Sequence, residues 1–164
     1  MKAGRQGFRM LRREQLLPEL VHDSYRSRRK LSDMTRCPDC GAVYIDGRWT
    51  WQGAPADTVE ERCPACHRVR DRFPAGFVSI GGKFFSSHRE EILGRVANCE
   101  REAKHDRPVE RIMAIEDAEG GVLVTTTDPH LARRIGEALY DAYKGDLAYH
   151  YNKQDNLLRV AWQR

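Results

Sequence analysis

The residues best suited to chemistry in this chain are its cysteines. Four of the five form two matched pairs, Cys37-Pro-Asp-Cys40 and Cys63-Pro-Ala-Cys66, with twenty-two residues between them. Each pair can wrap a tight turn around one metal ion with both sulfurs aimed at it, and two such turns complete a tetrahedral shell of four thiolates. The spacing therefore predicts one zinc ion held by Cys37, Cys40, Cys63 and Cys66. Four protein ligands leave no coordination position for water, so the metal is expected to hold the fold and to activate nothing. Gly41 follows the first pair and suits the left-handed backbone that such a turn often needs.

Other chemistries of the same residues fit less well. Paired disulfides need an oxidising compartment, and residues 1–36 hold no apolar run of signal-peptide length. Cys63-Pro-Ala-Cys66-His67 also matches the haem-attachment pattern, but that reading leaves Cys37 and Cys40 without a role and again requires export. A redox pair normally stands singly at the end of a strand and opens a helix, whereas here two copies match. The fifth cysteine, Cys99, lies on the apolar stripe of a predicted helix and reads as a small core residue.

The elements around the cysteines follow from local pattern. Residues 43–51 read as two short strands joined at Asp46-Gly47, a dipeptide suited to a two-residue hairpin turn, so the first cysteine turn leads into a hairpin as in a zinc ribbon. Tyr44, Trp49 and Trp51 read as the small core of that hairpin, with base stacking as the alternative use. Residues 52–62 form a surface connection. The expected organisation is a basic, largely flexible arm over 1–36, a zinc-ribbon module over 37–76 and an α+β domain over 77–164. A short helix over 8–17 would form only on a partner, and Tyr25 and Leu31 are candidate anchors of the arm on the module.

In the last domain, residues 77–80 make a short strand candidate, broken by Gly81-Gly82. A helix follows from Ser87, capped by a Ser87/Glu90 box, with Ile92, Val96, Cys99 and Ala103 facing inward and the pairs Glu91/Arg95 and Glu100/Lys104 on the wet side. Strands are expected over 109–116 and 122–127. Asp128 then caps a second helix with Pro129 in its first position and Leu131, Ile135, Leu139 and Ala142 inward. Two alternating strands close the chain, the second carrying Leu158, Val160 and Trp162. The order is helix, strand, strand, helix, strand, strand, which implies a small antiparallel sheet with both helices on one face and a core able to fold without the zinc module.

Charge points to a partner. Residues 1–36 carry ten lysines and arginines against Glu14, Glu19, Asp23 and Asp33, a balance of +6 in a chain whose net charge is +4. A basic arm on a nearly neutral body suits a polyanion, because neutralising phosphates releases counterions. Arg12, Arg13, Arg26, Arg28, Arg29 and Lys30 are the expected nucleic-acid contacts, while Arg36, Arg62 and Arg68 flank the cysteines and are expected to offset thiolate charge. No stretch is apolar enough to cross a membrane, so no membrane partner is expected, and five cysteines without an export signal point to the cytoplasm. Oligomeric state is not legible. Enzyme signatures are missing: no His-Glu-x-x-His, no phosphate-cradling glycine loop with lysine, no Gly-x-Ser-x-Gly. His88 with Glu91, His130 beside Asp128, and the run Thr125-Thr126-Thr127-Asp128 are the groupings a catalytic reading could use, the last better explained as helix capping than as an anion site, and no catalytic residue is assigned.

Several stretches together carry a resemblance: the double Cys-Pro-x-Cys with Gly47-Arg48-Trp49, Pro74-Ala75-Gly76, the run from His88 to Leu93, Arg111 to Ile115, and Thr125 to Asp128 with Gly136 to Leu139. Over residues 25–162 the chain resembles a family of bacterial zinc-ribbon proteins. More loosely, over 37–151, it is similar to the large-ribosomal-subunit nuclear-export adaptor of eukaryotes and its archaeal counterpart. The resemblance implies that the four paired cysteines are zinc ligands and that the protein contacts ribosomal RNA. The chain departs from the export adaptors in having cysteines for one zinc only, in its shorter length and in lacking a leucine-rich export tail. A non-enzymatic, ribosome-associated RNA-binding protein is thus the expected function, with a DNA-binding or transcription-associated ribbon as the alternative and an enzyme with an unseen site as the second.

Overall fold

The computed structural model describes Tyr25 and residues 31–164. The expectations for the helix over 8–17 and for Arg12, Arg13, Arg26, Arg28, Arg29 and Lys30 lie outside the described residues. The first body is built on β1 (Thr35–Arg36), β2 (Val43–Ile45), β3 (Arg48–Thr50) and α1 (Pro64–Asp71), with the strands in an antiparallel sheet of order β1-β2-β3. The hairpin forms where Asp46-Gly47 predicts it, with both residues at positive φ (50° and 82°), the conformation a two-residue turn needs to match strand twist. Tyr44 meets Trp49 across the hairpin, edge to face at 5.6 Å between centroids.

A helix at the second cysteine pair is a departure from expectation. Cys63 is the N-cap of α1, its sulfur accepting from the Cys66 amide, and Pro64 occupies the first helical position, where a missing N–H costs nothing. The matched Cys-Pro-x-Cys spelling concealed this asymmetry: the first pair makes a turn, the second opens a helix. The module is therefore a turn, a hairpin and a helix.

The second body contains β4 (Gly76–Gly81), α2 (Lys83–Ser87), α3 (Arg89–Asp106), β5 (Ile112–Ala118), β6 (Gly121–Thr126), α4 (Pro129–Tyr143), β7 (Asp146–Asn152) and β8 (Leu157–Gln163). Its sheet has five strands in the order β5-β6-β4-β8-β7, and it is mixed: β4 pairs parallel with β8 while the other three pairings are antiparallel. The fold is α+β as expected, but the short strand candidate at residues 77–80 is the centre of the sheet. Since β4 and β5 run parallel with β6 between them, β4-α3-β5 is a split β-α-β unit, and β6-α4-β7 is a second one interlocked with it. A core row runs through Val124, Val78, Val160 and Tyr149 on β6, β4, β8 and β7, and its register ends at Ile115 on the edge strand β5, which is exposed. Onto that face pack Ile92, Val96, Cys99 and Ala103 of α3 and Leu131, Ile135 and Leu139 of α4, with Trp162 fully buried among them. Burying one face of the sheet under both helices is what the residue periodicities required.

Several local details differ from expectation. Ser87 ends α2, its hydroxyl donating to the Lys83 carbonyl, and α3 begins without a side-chain cap, so no Ser87/Glu90 box forms. Glu91 accepts from the Tyr143 hydroxyl (2.7 Å) and Glu100 from the Ile112 amide (2.8 Å), so both carboxylates fasten α3 to neighbouring elements instead of pairing along it. Ala142 is exposed, and Tyr143 takes the last inward position of α4. Asp128 does cap α4, accepting from the His130 amide at 2.7 Å, with Pro129 next.

Candidate metal centre

The four paired cysteines converge. Their sulfurs all lie within 4.8 Å of one another, with Cys40 and Cys63 3.8 Å apart, and none is in a disulfide. Cys37, Cys63 and Cys66 are buried and Cys40 half-buried. The donor set suits a metal: zinc–sulfur bonds of about 2.3 Å in a tetrahedron put sulfurs about 3.8 Å apart. Such a cluster could hold a metal ion.

Backbone geometry makes the convergence. The first turn is closed by Gly41 N–H to the Cys37 carbonyl (2.9 Å) and Cys37 N–H to the Ala42 carbonyl (2.8 Å), with Gly41 at φ +80°. The strand leading into it and the loop leading into the second pair run side by side, Arg36 N–H donating to the Val59 carbonyl (2.8 Å) and Glu61 N–H to the Arg36 carbonyl (3.0 Å). Arg62 then pairs with Asp39 across the two cysteine turns. Amides of Cys63 and Cys66 aim at the sulfurs of Cys37 (3.3 Å) and Cys63 (3.4 Å), a polarity suited to thiolates.

Crowding splits the acidities. The hydrogen bond from Cys63 brings the Cys40 thiol down to about 4, while that same bond and burial push Cys63 far up and burial raises Cys66 to about 11. Four thiolates at these separations repel one another and need a cation among or against them.

One such cation is Arg111, which sequence reasoning missed. It belongs to the second body, just before β5, yet its Nη2 lies 3.1, 3.4 and 3.6 Å from the sulfurs of Cys63, Cys66 and Cys40. Its Nε donates to the Pro108 carbonyl at 2.8 Å, which fixes the guanidinium plane. The surrounding backbone is equally fixed: Arg111 N–H donates to Thr127 Oγ1 (2.9 Å), Thr127 N–H to the Arg111 carbonyl (2.9 Å) and Thr127 Oγ1 to the Val109 carbonyl (2.6 Å). Val109 packs on the cysteines beside Trp49. The Trp51 indole also crosses, donating to the Lys104 carbonyl in the last turn of α3 at 2.6 Å. The cysteine cluster thus sits at the contact between the two bodies. No local signal marks Arg111, because it stands 45 to 71 residues from the sulfurs it reaches.

Of the arginines expected to serve the thiolates, Arg62 feels the charge of Cys37 and Cys66 while paired with Asp39, and the other two are engaged elsewhere. Arg36 pairs with Glu60 at 2.7 Å, Arg62 with Asp39, and Arg68 is buried, donating to the Phe73 carbonyl with its guanidinium 4.4 Å from the centre of the Tyr25 ring. Tyr25 anchors on α1 as expected, its hydroxyl donating to Asp71. Trp51 remains 41 % exposed while Trp49 is drawn inward, so the hairpin core is Tyr44 and Trp49.

The groupings a catalytic reading could use are held in structural work. His88 stacks on Phe84 at 4.0 Å with Nδ1 against the Phe84 carbonyl, while Glu91 is taken by Tyr143. His130 Nδ1 lies 3.0 Å from Asp128, the helix cap. Thr126 donates to the Asp128 carbonyl at 2.7 Å, and Thr127 is bound as above. Cys99 is buried, and burial raises its thiol. Among the described residues, no helix is long and apolar enough to cross a membrane. Comparison with protein-family models, with curated proteins and with solved structures finds no match to this chain.

Proposed function

We propose that the cysteine cluster holds one structural zinc ion and that the protein is a non-enzymatic RNA-binding factor acting at the ribosome in the cytoplasm. The observation that carries the zinc half is the closed donor set: Cys37, Cys40, Cys63 and Cys66 supply four sulfurs, and Arg111 lies against three of them. A zinc so enclosed keeps no open position for water or substrate, so its work is structural, and four thiolates leave the centre at −2, a charge the Arg111 guanidinium partly offsets. The module is a ribbon-like hairpin whose second ligand pair comes from the start of a helix.

The RNA half rests on the +6 balance of residues 1–36 and on the resemblance to ribosome-linked zinc proteins, and one residue of that basic segment, Tyr25, is anchored on α1. Sedimentation of cell extract tests it: the protein is expected to travel with ribosomal particles and to return to the top of the gradient after ribonuclease treatment. Migration as a free protein at low salt, or release by deoxyribonuclease instead, would remove the reading.

A further inference from the structure

The outward side of α1 has no use in the metal centre. The helix buries Ala65, Cys66 and Arg68, whereas Val69 and Phe73 stay 48 % exposed, and Arg70 and Arg72 are exposed between them. Asp71 is the only acid of the helix, and its carboxylate accepts from the Tyr25 hydroxyl at 3.1 Å. Among the described residues neither Arg70 nor Arg72 forms an ion pair. Tyr25 lies against Phe73 (6.0 Å between centroids) with the buried Arg68 guanidinium over its ring, so an aromatic pair is packed at the end of the helix that carries Arg70 and precedes Arg72.

We propose that this surface, formed by Phe73, Val69, Arg70 and Arg72 with Tyr25 beside them, binds single-stranded RNA. The inference rests on the RNA-binding reading above and gives it a place on the folded body. Arg70 and Arg72 stand within three residues of the exposed Phe73 ring, so charge and an aromatic face occur together at the end of α1. Aromatic faces stack any base, and cations track the backbone, so the surface takes single strands with little sequence preference. Duplex RNA is the poorer fit, because its bases are stacked within the helix and its major groove is too deep and narrow for side chains to read.

The test is fluorescence anisotropy with the full chain, zinc-loaded, and a labelled single-stranded RNA oligomer of mixed sequence over a range of salt. The double variant Arg70→Gln/Arg72→Gln is expected to lower the slope of log affinity against log salt by about 1.4, two single-strand contacts at about 0.7 each. Phe73→Ala is expected to weaken binding about tenfold at every salt concentration with the slope unchanged, since it removes stacking and no charge. The control pair Arg89→Gln/Arg101→Gln on α3 is expected to leave the slope as it was. Metal content and helical signal measured on each variant confirm that the fold is intact; Phe73 and both arginines are exposed, so it should be. If the intact protein binds RNA but the α1 variants match it, or the control pair lowers the slope equally, the surface is wrong and the RNA reading stands. If the intact protein binds no RNA at low salt, both fall. Equal affinity for a duplex of the same length would overturn the assignment to single strands.

Discussion

Replacing Arg111 by alanine should weaken metal binding while leaving all four ligands in place. The guanidinium Nη2 is within 3.1–3.6 Å of three sulfurs, and its two protons can make at most two good hydrogen bonds at once. A hydrogen bond to a charged group contributes about 1.5–3 kcal/mol, and the two share one nitrogen, so they should be counted nearer to one such bond than two. The expected loss is about 1.5–3 kcal/mol, or about 10- to 150-fold in zinc affinity, which agrees with the ~10- to 100-fold typical of outer groups that orient metal ligands. Arg111→Lys keeps the charge but loses the fork that also binds the Pro108 carbonyl, and should fall between the two. The assay is competition for zinc against a chromophoric chelator, with thermal melting of the helical signal followed in parallel. An Arg111→Ala protein that is folded and competes for zinc as well as the unmodified protein would refute the idea that this arginine offsets the thiolate charge.

Two helical glycines should respond oppositely to alanine. At Gly136 an added Cβ would stand 2.6 Å from Val160 Cγ1 and 3.1 Å from Leu147 Cδ1, where α4 lies on the sheet, so Gly136→Ala should cost about 1–3 kcal/mol despite better helix propensity; at Gly94 on α3 nothing lies within 4 Å, and Gly94→Ala should stabilise by about 1 kcal/mol, both read by denaturant unfolding. His130 should titrate above its ordinary 6.5, because its hydrogen bond to Asp128 and the nearby Glu110 favour the cation against burial and Arg133. Its folded value being raised, the stability it adds is fully present below 6.5 and is lost as pH rises through the folded value; His130→Gln should flatten stability against pH over that window, and an NMR titration at or below 6.5 would contradict the sign. Cys99, 7 % exposed, should resist thiol reagents in the native zinc-loaded protein, and Cys99→Ala should cost about 1 kcal/mol; rapid labelling would show that the α3 stripe is not buried.

What the sequence disclosed was what depends on near neighbours. Cysteine spacing names a ligand set, Asp46-Gly47 sets a turn, Asp128-Pro129 starts a helix, and the alternation of Leu158, Val160 and Trp162 marks a strand with one buried face. What it hid depends on partners far along the chain. Residues 76–81 look like a minor strand because only pairing shows that β6 and β8 flank them, and the parallel register of Val78 opposite Val160 has no signature in either segment. Glu91 and Glu100 look like solvent-side helix charges until Tyr143 and Ile112 arrive. Arg111 looks like one more strand-flanking arginine, while Arg36 and Arg68, nearer to the cysteines in sequence, find Glu60 and the Phe73 carbonyl with its neighbouring rings instead, and Arg62 reaches the thiolate charge only alongside its pairing with Asp39. Local features were also hidden where one residue serves two roles or two elements abut: Cys63 is both ligand and helix cap, and Ser87 ends α2 where a cap for α3 was expected.

The central claim is that Cys37, Cys40, Cys63 and Cys66 act together on one zinc ion and that this centre organises the first body and its contact with the second. Native mass spectrometry of the purified full chain tests it most directly. The account predicts one zinc per chain, lost from Cys63→Ser, with protection of the Arg111 and Thr127 amides from hydrogen exchange falling when a chelator removes the metal. A metal-free chain that is folded around intact hairpin and helix, or full zinc occupancy in Cys63→Ser, would contradict it.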